Sequence, residues 1–380
     1  MWPSGSQSYG RLCSGPNTRG DRSGVWSSQA SSPPWSPSGQ EGRAGGARDP
    51  RPSRTPEPRA APAPVRRVGG VTGEPLDRVE AAVRKLRSLG RLAMIDASEV
   101  AGDAGFGGGP AGAPGELADR LAYPRDLLED QEPIPFIPVI RARADERQVT
   151  VLGRLCDELG AGGAIRVGGE VPSRDAMERL LEVLSVDAGD LDLIVDLGYV
   201  PELPSGLADR VGGILRAAGG SGNFRSTSVV RGSIPDSLAQ TAVWAAPRIE
   251  EQVWRALLGA GAEGLRFGDY GVVHPGAGKG FLSKHVAMKY TCLDHWLYSR
   301  ERIPDETGEA QPESRTARTF RAVCRNVVES ESFAGPEFSW GDREIRETAE
   351  GRGDGPGTKT KAIAVATSHH PARLAAQAAA

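Results

Sequence analysis

Several short apolar runs of this sequence end in, or are followed by, a residue that carries a charge or a hydroxyl group. These residues are Asp96, Arg141, Arg166, Asp196, Arg231, Ser233, Asp269, Tyr270, Tyr290, Ser368 and His369. The carboxyl ends of parallel strands meet at one edge of a sheet, so these side chains should converge if the runs are neighbouring strands. Arginines beside carboxylates can bind an anion or a phosphate ester and can supply an acid/base pair.

This pattern predicts two roles within the set. The residues predicted to be catalytic are Asp196, Asp269 and His369. The residues predicted to bind the ligand are Arg141, Arg166, Arg231, Tyr270 and Tyr290. The carboxylates would act as general bases, and the histidine would donate a proton to a bound anion. A structural interpretation stays open, because an acid just past a strand often caps the next helix and Arg–Asp pairs can lock a barrel interior.

The segment FGDYG at 267–271 is the sharpest single case. Asp269 stands between Gly268 and Tyr270 at a predicted strand end, where glycine allows close backbone approach. In the functional interpretation Asp269 is a general base or a hydrogen-bond acceptor for the ligand. Tyr270 lines the site and forms a hydrogen bond with the ligand. In the structural interpretation the segment is a turn closed by an Asx hydrogen bond.

No cofactor is predicted from the motifs. The segment HPGAGKG at 274–280 fails as a phosphate-binding loop, since Val273 replaces the required glycine and Gly280 replaces the required serine or threonine. The five histidines include no pair at the i, i+4 spacing of a helical metal site. A metal site is therefore not expected.

Apolar runs and amphipathic segments alternate from residue 76 onward. The predicted strands are 91–96, 134–141, 163–167, 192–197, 226–231, 265–270, 285–290 and 362–367. The predicted helices are 76–89, 146–159, 173–184, 207–218, 247–258, 315–328, 342–349 and a terminal helix from Pro371. Trp244 and Trp296 are placed on helical faces. This alternation indicates parallel βαβ units in an α/β protein.

Two architectures fit the alternation, a (β/α)8 TIM-barrel-like fold and an open doubly wound sheet. A barrel domain takes roughly 250 residues, close to the length that follows residue 70. A dinucleotide-binding sheet needs a glycine-rich turn after its first strand, and the residues after Asp96 form no such turn. A barrel-like domain over 71–380 is predicted, with a flexible surface loop at 102–115.

The first 70 residues have a different composition. They contain ten arginines, no lysine and four acidic residues, with almost no aliphatic side chains. Such a segment cannot bury enough apolar surface to offset its backbone entropy, so it is predicted to be disordered. It can be interpreted as an organelle transit peptide, as a basic tail or, the favoured interpretation, as an extension that selection has not shaped.

Charge and composition exclude several classes of protein. The 380 residues carry a formal net charge of −3, and the part after residue 70 carries −9, so nucleic acid is not an expected partner. No apolar run approaches the roughly 18 residues of a membrane-spanning helix. The four cysteines are widely separated, so a disulfide scaffold is not expected. A cytoplasmic location is expected instead.

An ordered set of segments in the C-terminal half carries a family resemblance. The segments are GSIPDSL (232–238), FGDYGVVHP (267–275), KYTCLDHWLYSR (289–300), FSWGDREI (338–345) and TSHHPARL (367–374). In this order they resemble the phage- and prophage-associated beta protein family, over roughly 90–380 and most strongly after Leu191. The resemblance implies a barrel-like fold and an association with mobile elements and phage exclusion, but no particular reaction.

The sequence departs from that family at its front. The resemblance implies an early strand and a second apolar strand soon after, whereas only APVRRV at 63–68 remains as a possible remnant. A barrel without these strands would be incomplete and would expose unpaired strand edges.

Two functions are therefore expected to compete. The first is a phage-associated protein that binds a protein partner or a ligand at the carboxyl face of the strands. The second is a barrel enzyme acting on a phosphorylated or otherwise anionic small molecule. Convergence of the polar set in one pocket would favour an enzyme or a ligand-binding site. Pairing inside the core, or side chains that point apart, would favour a protein interaction.

Overall fold

The computed structural model describes residues 24–26, 75–100, 109–122, 133–168, 170–262, 264–276, 284–305, 313–352 and 360–379. The extension predicted to be disordered over 1–70 lies outside these residues, apart from Gly24–Trp26, which forms a short strand. Residues 102–108 of the loop predicted at 102–115 also lie outside the described residues. The last four residues of this loop belong to a helix that begins at Gly112. The single domain over 71–380 stays a prediction.

Ten strands and nine α-helices lie within these ranges and are numbered in chain order. The strands are β1 (Gly24–Trp26), β2 (Leu92–Ile95), β3 (Ile137–Arg141), β4 (Gly163–Gly168), β5 (Leu191–Tyr199), β6 (Ser226–Gly232), β7 (Val243–Pro247), β8 (Leu265–Asp269), β9 (His285–Thr291) and β10 (His295–Arg302). The helices are α1 (Pro75–Ser88), α2 (Gly112–Ala122), α3 (Glu146–Leu159), α4 (Arg174–Leu184), α5 (Leu207–Gly219), α6 (Ile249–Gly259), α7 (Arg315–Val328), α8 (Trp340–Ala349) and α9 (Thr360–Ala379).

A parallel sheet with the strand order β1-β2-β3-β4-β5-β6-β8 forms the first layer. Its strands from β2 to β8 curl into a half-barrel. The first four residues of β3 and the first five of β5 are all buried, which is typical of a parallel sheet covered on both faces. Apolar side chains of α3 to α6, including Leu152 and Val211, pack against these strands in one core.

A second, antiparallel sheet has the order β7-β10-β9 and packs against α7, α8 and α9. Trp296, Phe320 and Val365 are buried in the core of this layer. The α/β class is confirmed. A closed eight-stranded barrel is not shown, because among the described strands the parallel sheet ends at β1 and at β8.

Three predictions for the C-terminal half are wrong. Residues 285–290 form a strand as predicted, but β9 pairs antiparallel to β10 instead of joining the parallel sheet. Residues 362–367 lie in α9, where Ala362, Val365 and Ala366 are buried at helical spacing. Trp244 and Trp296 lie on β7 and β10 rather than on helices.

None of the helices in the described ranges is long and apolar enough to cross a membrane.

Close packing of α3 on α4 depends on Gly153. A Cβ at this position would lie 2.1 Å from the carbonyl oxygen of Leu184, so the two helices would have to separate. We expect Gly153→Ala to lower the free energy of unfolding by about 2 kcal/mol, measured by urea denaturation. Gly219→Ala is the control, since its Cβ would meet no described atom within 4 Å. Equal stability of the two variants would contradict this contact.

Candidate functional site

Parallel strands bring four charged or hydroxyl-bearing residues together on the carboxyl side of the sheet. Arg166 on β4 donates from Nε and Nη2 to Asp196 Oδ2 on β5, at 2.9 and 2.6 Å. Its Nη2 also donates to the Tyr270 hydroxyl at 2.7 Å, and its Nη1 contacts Asp96 Oδ2 just past β2. With Arg141, these residues form what we name the edge cluster.

The two carboxylates of the edge cluster are held by local hydrogen bonds as well as by Arg166. Asp196 accepts a hydrogen bond from the Tyr270 hydroxyl at 2.7 Å and one from the Gly198 N–H at 2.9 Å. Asp96 Oδ1 accepts from the Ser98 N–H at 3.0 Å. The carboxylates are thus well supplied with donors and hold Arg166 in one orientation.

The protonation states of Asp96 and Tyr270 are fixed near neutral pH. Burial would raise the pKa of Asp96, but hydrogen bonds from Ser98 and the charge of Arg166 outweigh it and hold that pKa below its usual value. Burial and the neighbouring Asp196 carboxylate raise the pKa of Tyr270. Asp96 is therefore ionised and Tyr270 protonated over the neutral range.

Arg141 stands at the open rim of the edge cluster. Its side chain is 39% exposed, and its Nη2 contacts Glu99 Oε1 at 2.5 Å. Its Nε is buried, lies 3.9 Å from Asp96 Oδ2 and has no hydrogen-bond partner among the described residues. Arg141 thus has one N–H donor, at Nε, that forms no hydrogen bond with the described residues.

Arg231 lies in the interior, away from the edge cluster. Its side chain is fully buried, and it donates to the carbonyl oxygens of Glu250 at 2.9 Å and Val229 at 2.7 Å. The rings of Trp254 and Phe267 lie 5.5 and 4.4 Å from the guanidinium carbon. Burial lowers the pKa of Arg231 to about 10, which still leaves it protonated at neutral pH.

Asp269 is paired with a histidine of α9. His370 Nε2 lies 3.0 Å from Asp269 Oδ2, and its Nδ1 lies 2.8 Å from the Thr291 hydroxyl. The Gly271 N–H donates to Asp269 Oδ1 at 2.9 Å, which is the Asx turn of the structural interpretation. Burial would raise the pKa of Asp269, but His370 and Gly271 lower it to about 2.

His369 and Tyr290 meet in the antiparallel layer. His369 Nδ1 lies 2.9 Å from Asp342 Oδ2, and the Tyr290 hydroxyl donates to Asp342 Oδ1 at 2.6 Å. The two rings stack with centroids 3.9 Å apart, and all three side chains are buried. This arrangement ties β9, α8 and α9 together.

Sequence reasoning missed a buried ion pair at the start of α6. Arg248 Nε lies 3.7 Å from Glu250 Oε1, and both side chains are almost fully buried. Arg248 Nη1 also donates to the Cys292 carbonyl at 2.9 Å and to Gln377 at 3.0 Å. The ion pair itself is local, but the hydrogen-bond partners that hold Arg248 lie 44 and 129 positions away, so the sequence does not show that the pair is buried.

The structure thus divides the predicted site residues into two groups. It brings together Arg141, Arg166, Asp196 and Tyr270, and it places elsewhere Asp269, Arg231, Tyr290 and His369. Sequence reasoning overlooked Glu99 as the partner of Arg141, although its place three residues past a strand-ending aspartate could have suggested it. Within the described ranges, no three His, Cys, Asp or Glu side chains are arranged to hold a metal ion.

Fold and site together define an α/β protein whose half-barrel sheet carries a partly exposed charged cluster at its carboxyl edge. A family model described as beta protein matches residues 56–376, which is most of the chain. The chain belongs to the beta protein family, as its sequence resemblance predicted. No curated protein and no solved structure matches it.

Proposed function

We propose that this protein acts by binding an anionic small molecule at the edge cluster. Its proposed location is the cytoplasm. The observation that carries the proposal is the spare donor of Arg141 beside the fixed guanidinium of Arg166. The carboxylates of the cluster already accept several hydrogen bonds, so the group with unused capacity is a cation. An anion is the ligand that a spare guanidinium donor favours.

Glu99 occupies the place that the ligand would take. Its side chain is 41% exposed and contacts Arg141, which is itself 39% exposed, so the ion pair contributes little to stability. An anionic group of the ligand would displace Glu99 from Nη2. The buried Nε, beside Asp96, would become a donor to the ligand once the Arg141 side chain turns. Arg166 needs no rearrangement, because Asp96, Asp196 and Tyr270 already orient it.

The directions of the pKa shifts favour binding over proton transfer. A general acid or base works best when its pKa lies near the working pH. The pKa of Asp96 is shifted down and that of Tyr270 is shifted up, so both move away from neutrality. The competing proposal, an enzyme acting on a phosphorylated or anionic substrate, would need Asp196 as its base.

The biological setting of this binding is a proposal that rests on the family resemblance. Family members are associated with phages and mobile elements, so the ligand or a protein partner would belong to a phage-defence module. The edge cluster supplies a ligand site in either case.

Arg141→Gln provides the first test of the ligand site. We expect it to weaken binding of pyrophosphate, the probe, by about tenfold or more, because it removes a charge-assisted contact. Isothermal titration calorimetry at low ionic strength measures the dissociation constant.

Arg143→Gln is the matched control for this test. Arg143 lies two positions further along the chain, is 74% exposed and also contacts an acid, Glu170, at 2.5 Å. Its replacement should leave the affinity unchanged. If both variants bind pyrophosphate as the wild type does, or if the wild type binds none, the proposed site is wrong.

A further inference from the structure

A recess opens between the parallel sheet and the antiparallel sheet, lined by residues of β5, β7 and β10. Its volume is about 310 Å³, at the lower end of the size range of small-molecule pockets. Its lining includes three aromatic rings and several hydrogen-bonding side chains, which are Tyr199, Trp244, Tyr298, Ser233, Ser237 and Gln240. We name it the aromatic recess.

Two of the three rings of the aromatic recess stack on each other. Trp244 lies on Tyr298 with centroids 4.9 Å apart and an angle of 18° between the planes. Tyr298 is buried, whereas Trp244 is half-buried and Tyr199 is 41% exposed. A planar ring entering the recess could continue this stack, and each stacked base in comparable sites contributes substantially to affinity.

The aromatic recess and the edge cluster share one stretch of backbone. Tyr199 is three residues past Asp196 on β5, on the far side of an irregularity in the strand register. Tyr199 pairs in register with Gly232, which precedes Ser233 of the recess. Gly232 lies against Tyr270, since a Cβ on this glycine would be 3.3 Å from the tyrosine Cβ. Tyr270 therefore contacts both Arg166 and the residue that precedes Ser233 of the recess.

We propose that the aromatic recess binds the planar ring of a ligand whose anionic end lies at the edge cluster. The ligand class is a nucleoside phosphate, which has an aromatic base, a sugar as spacer and one or more phosphates. Gln240 and Ser237 are placed to form hydrogen bonds with the edge of the base. The placement of the phosphates at the edge cluster rests on the proposed function. The placement of the base rests on the aromatic recess alone.

The experiment compares complete and partial ligands. Adenosine 5′-diphosphate and guanosine 5′-diphosphate are titrated against the full chain beside pyrophosphate and the two nucleosides. We expect at least one nucleotide to bind about tenfold or more tightly than pyrophosphate. Trp244→Ala should remove this gain and leave pyrophosphate binding unchanged. Tyr199→Ala, at an exposed position, should reduce the gain without a change in thermal unfolding midpoint.

Trp340→Ala is the matched control, because Trp340 lies on α8 and is 47% exposed. Its replacement should leave nucleotide affinity unchanged. If pyrophosphate binds and nucleotides bind no more tightly, the recess assignment is overturned while the proposed function stands. If nucleosides bind as well as nucleotides, the link between ring and anion is overturned. If neither pyrophosphate nor nucleotides bind, both proposals fail.

Discussion

Replacing Arg231 with methionine is expected to lower the free energy of unfolding by about 3–5 kcal/mol. The guanidinium is buried and donates to the carbonyl oxygens of Val229, Gly268 and Glu250. Methionine fills similar space but donates no hydrogen bond, so those oxygens lose their partner. The nearby carboxylates of Glu250 and Asp269 also lose the cation that offsets their charge.

Urea denaturation followed by far-ultraviolet circular dichroism measures this loss. Arg210→Met is the control, because Arg210 is exposed on α5 and its replacement should change stability by less than about 0.5 kcal/mol. The sequence-based prediction gave Arg231 a ligand-binding role. Unchanged stability of Arg231→Met would contradict this structural role and favour a ligand-binding role for the residue instead.

Replacing Asp269 with asparagine is expected to cost about 3 kcal/mol at neutral pH. The carboxylate is the partner of His370, whose other ring nitrogen lies against the Thr291 hydroxyl. Asparagine keeps the shape and can still accept from Gly271, but it removes the charge that faces the histidine. Asp119→Asn on the exposed side of α2 serves as the control and should be nearly neutral.

The same pair predicts how stability depends on pH. The pKa of Asp269 is about 2 in the folded protein, against about 3.9 in an unfolded chain. A lowered folded-state pKa contributes stability that is present above the unfolded value and is lost as the pH falls toward 2. The loss attributable to Asp269 between pH 5 and pH 2 is about 2 kcal/mol.

Urea denaturation at several pH values between 2.5 and 7 tests this dependence. The curve of Asp269→Asn should be flatter than that of the wild type over the acid range, whereas Asp119→Asn should follow the wild type. Parallel curves for the wild type and Asp269→Asn would show that the pair with His370 does not stabilise the fold.

The strands and helices of the parallel layer were predictable because the residues that begin and end each element lie within a short stretch of sequence. The run at 192–197 lies in β5, where its apolar residues 193–195 are buried, and Ser173 caps α4 as its residue type predicts. The run at 362–367 was misassigned because small and β-branched residues also suit a strand. Extending the window to His369 and His370 shows the i, i+3, i+4, i+7, i+8 spacing of a buried helix face.

The edge cluster was partly predictable for a topological reason. Residues at the carboxyl ends of neighbouring parallel strands must approach one another, so Arg166 and Asp196 could be paired from sequence position alone. Arg231 could not be excluded in this way, because the direction in which its side chain turns depends on packing against α6. The partners of Asp269 and His369 lie 101 and 27 positions away, beyond any local pattern.

The placement of α9 has a consequence for synthesis of the chain on the ribosome. Strands β2 to β8 are complete once residue 269 has been made, yet Asp269 meets His370 only after a further hundred residues. A nascent chain released before that point would hold a carboxylate without its histidine and an antiparallel layer without its third helix. Products that end before His370 should therefore be less stable than the full-length chain and more readily cleaved by proteases.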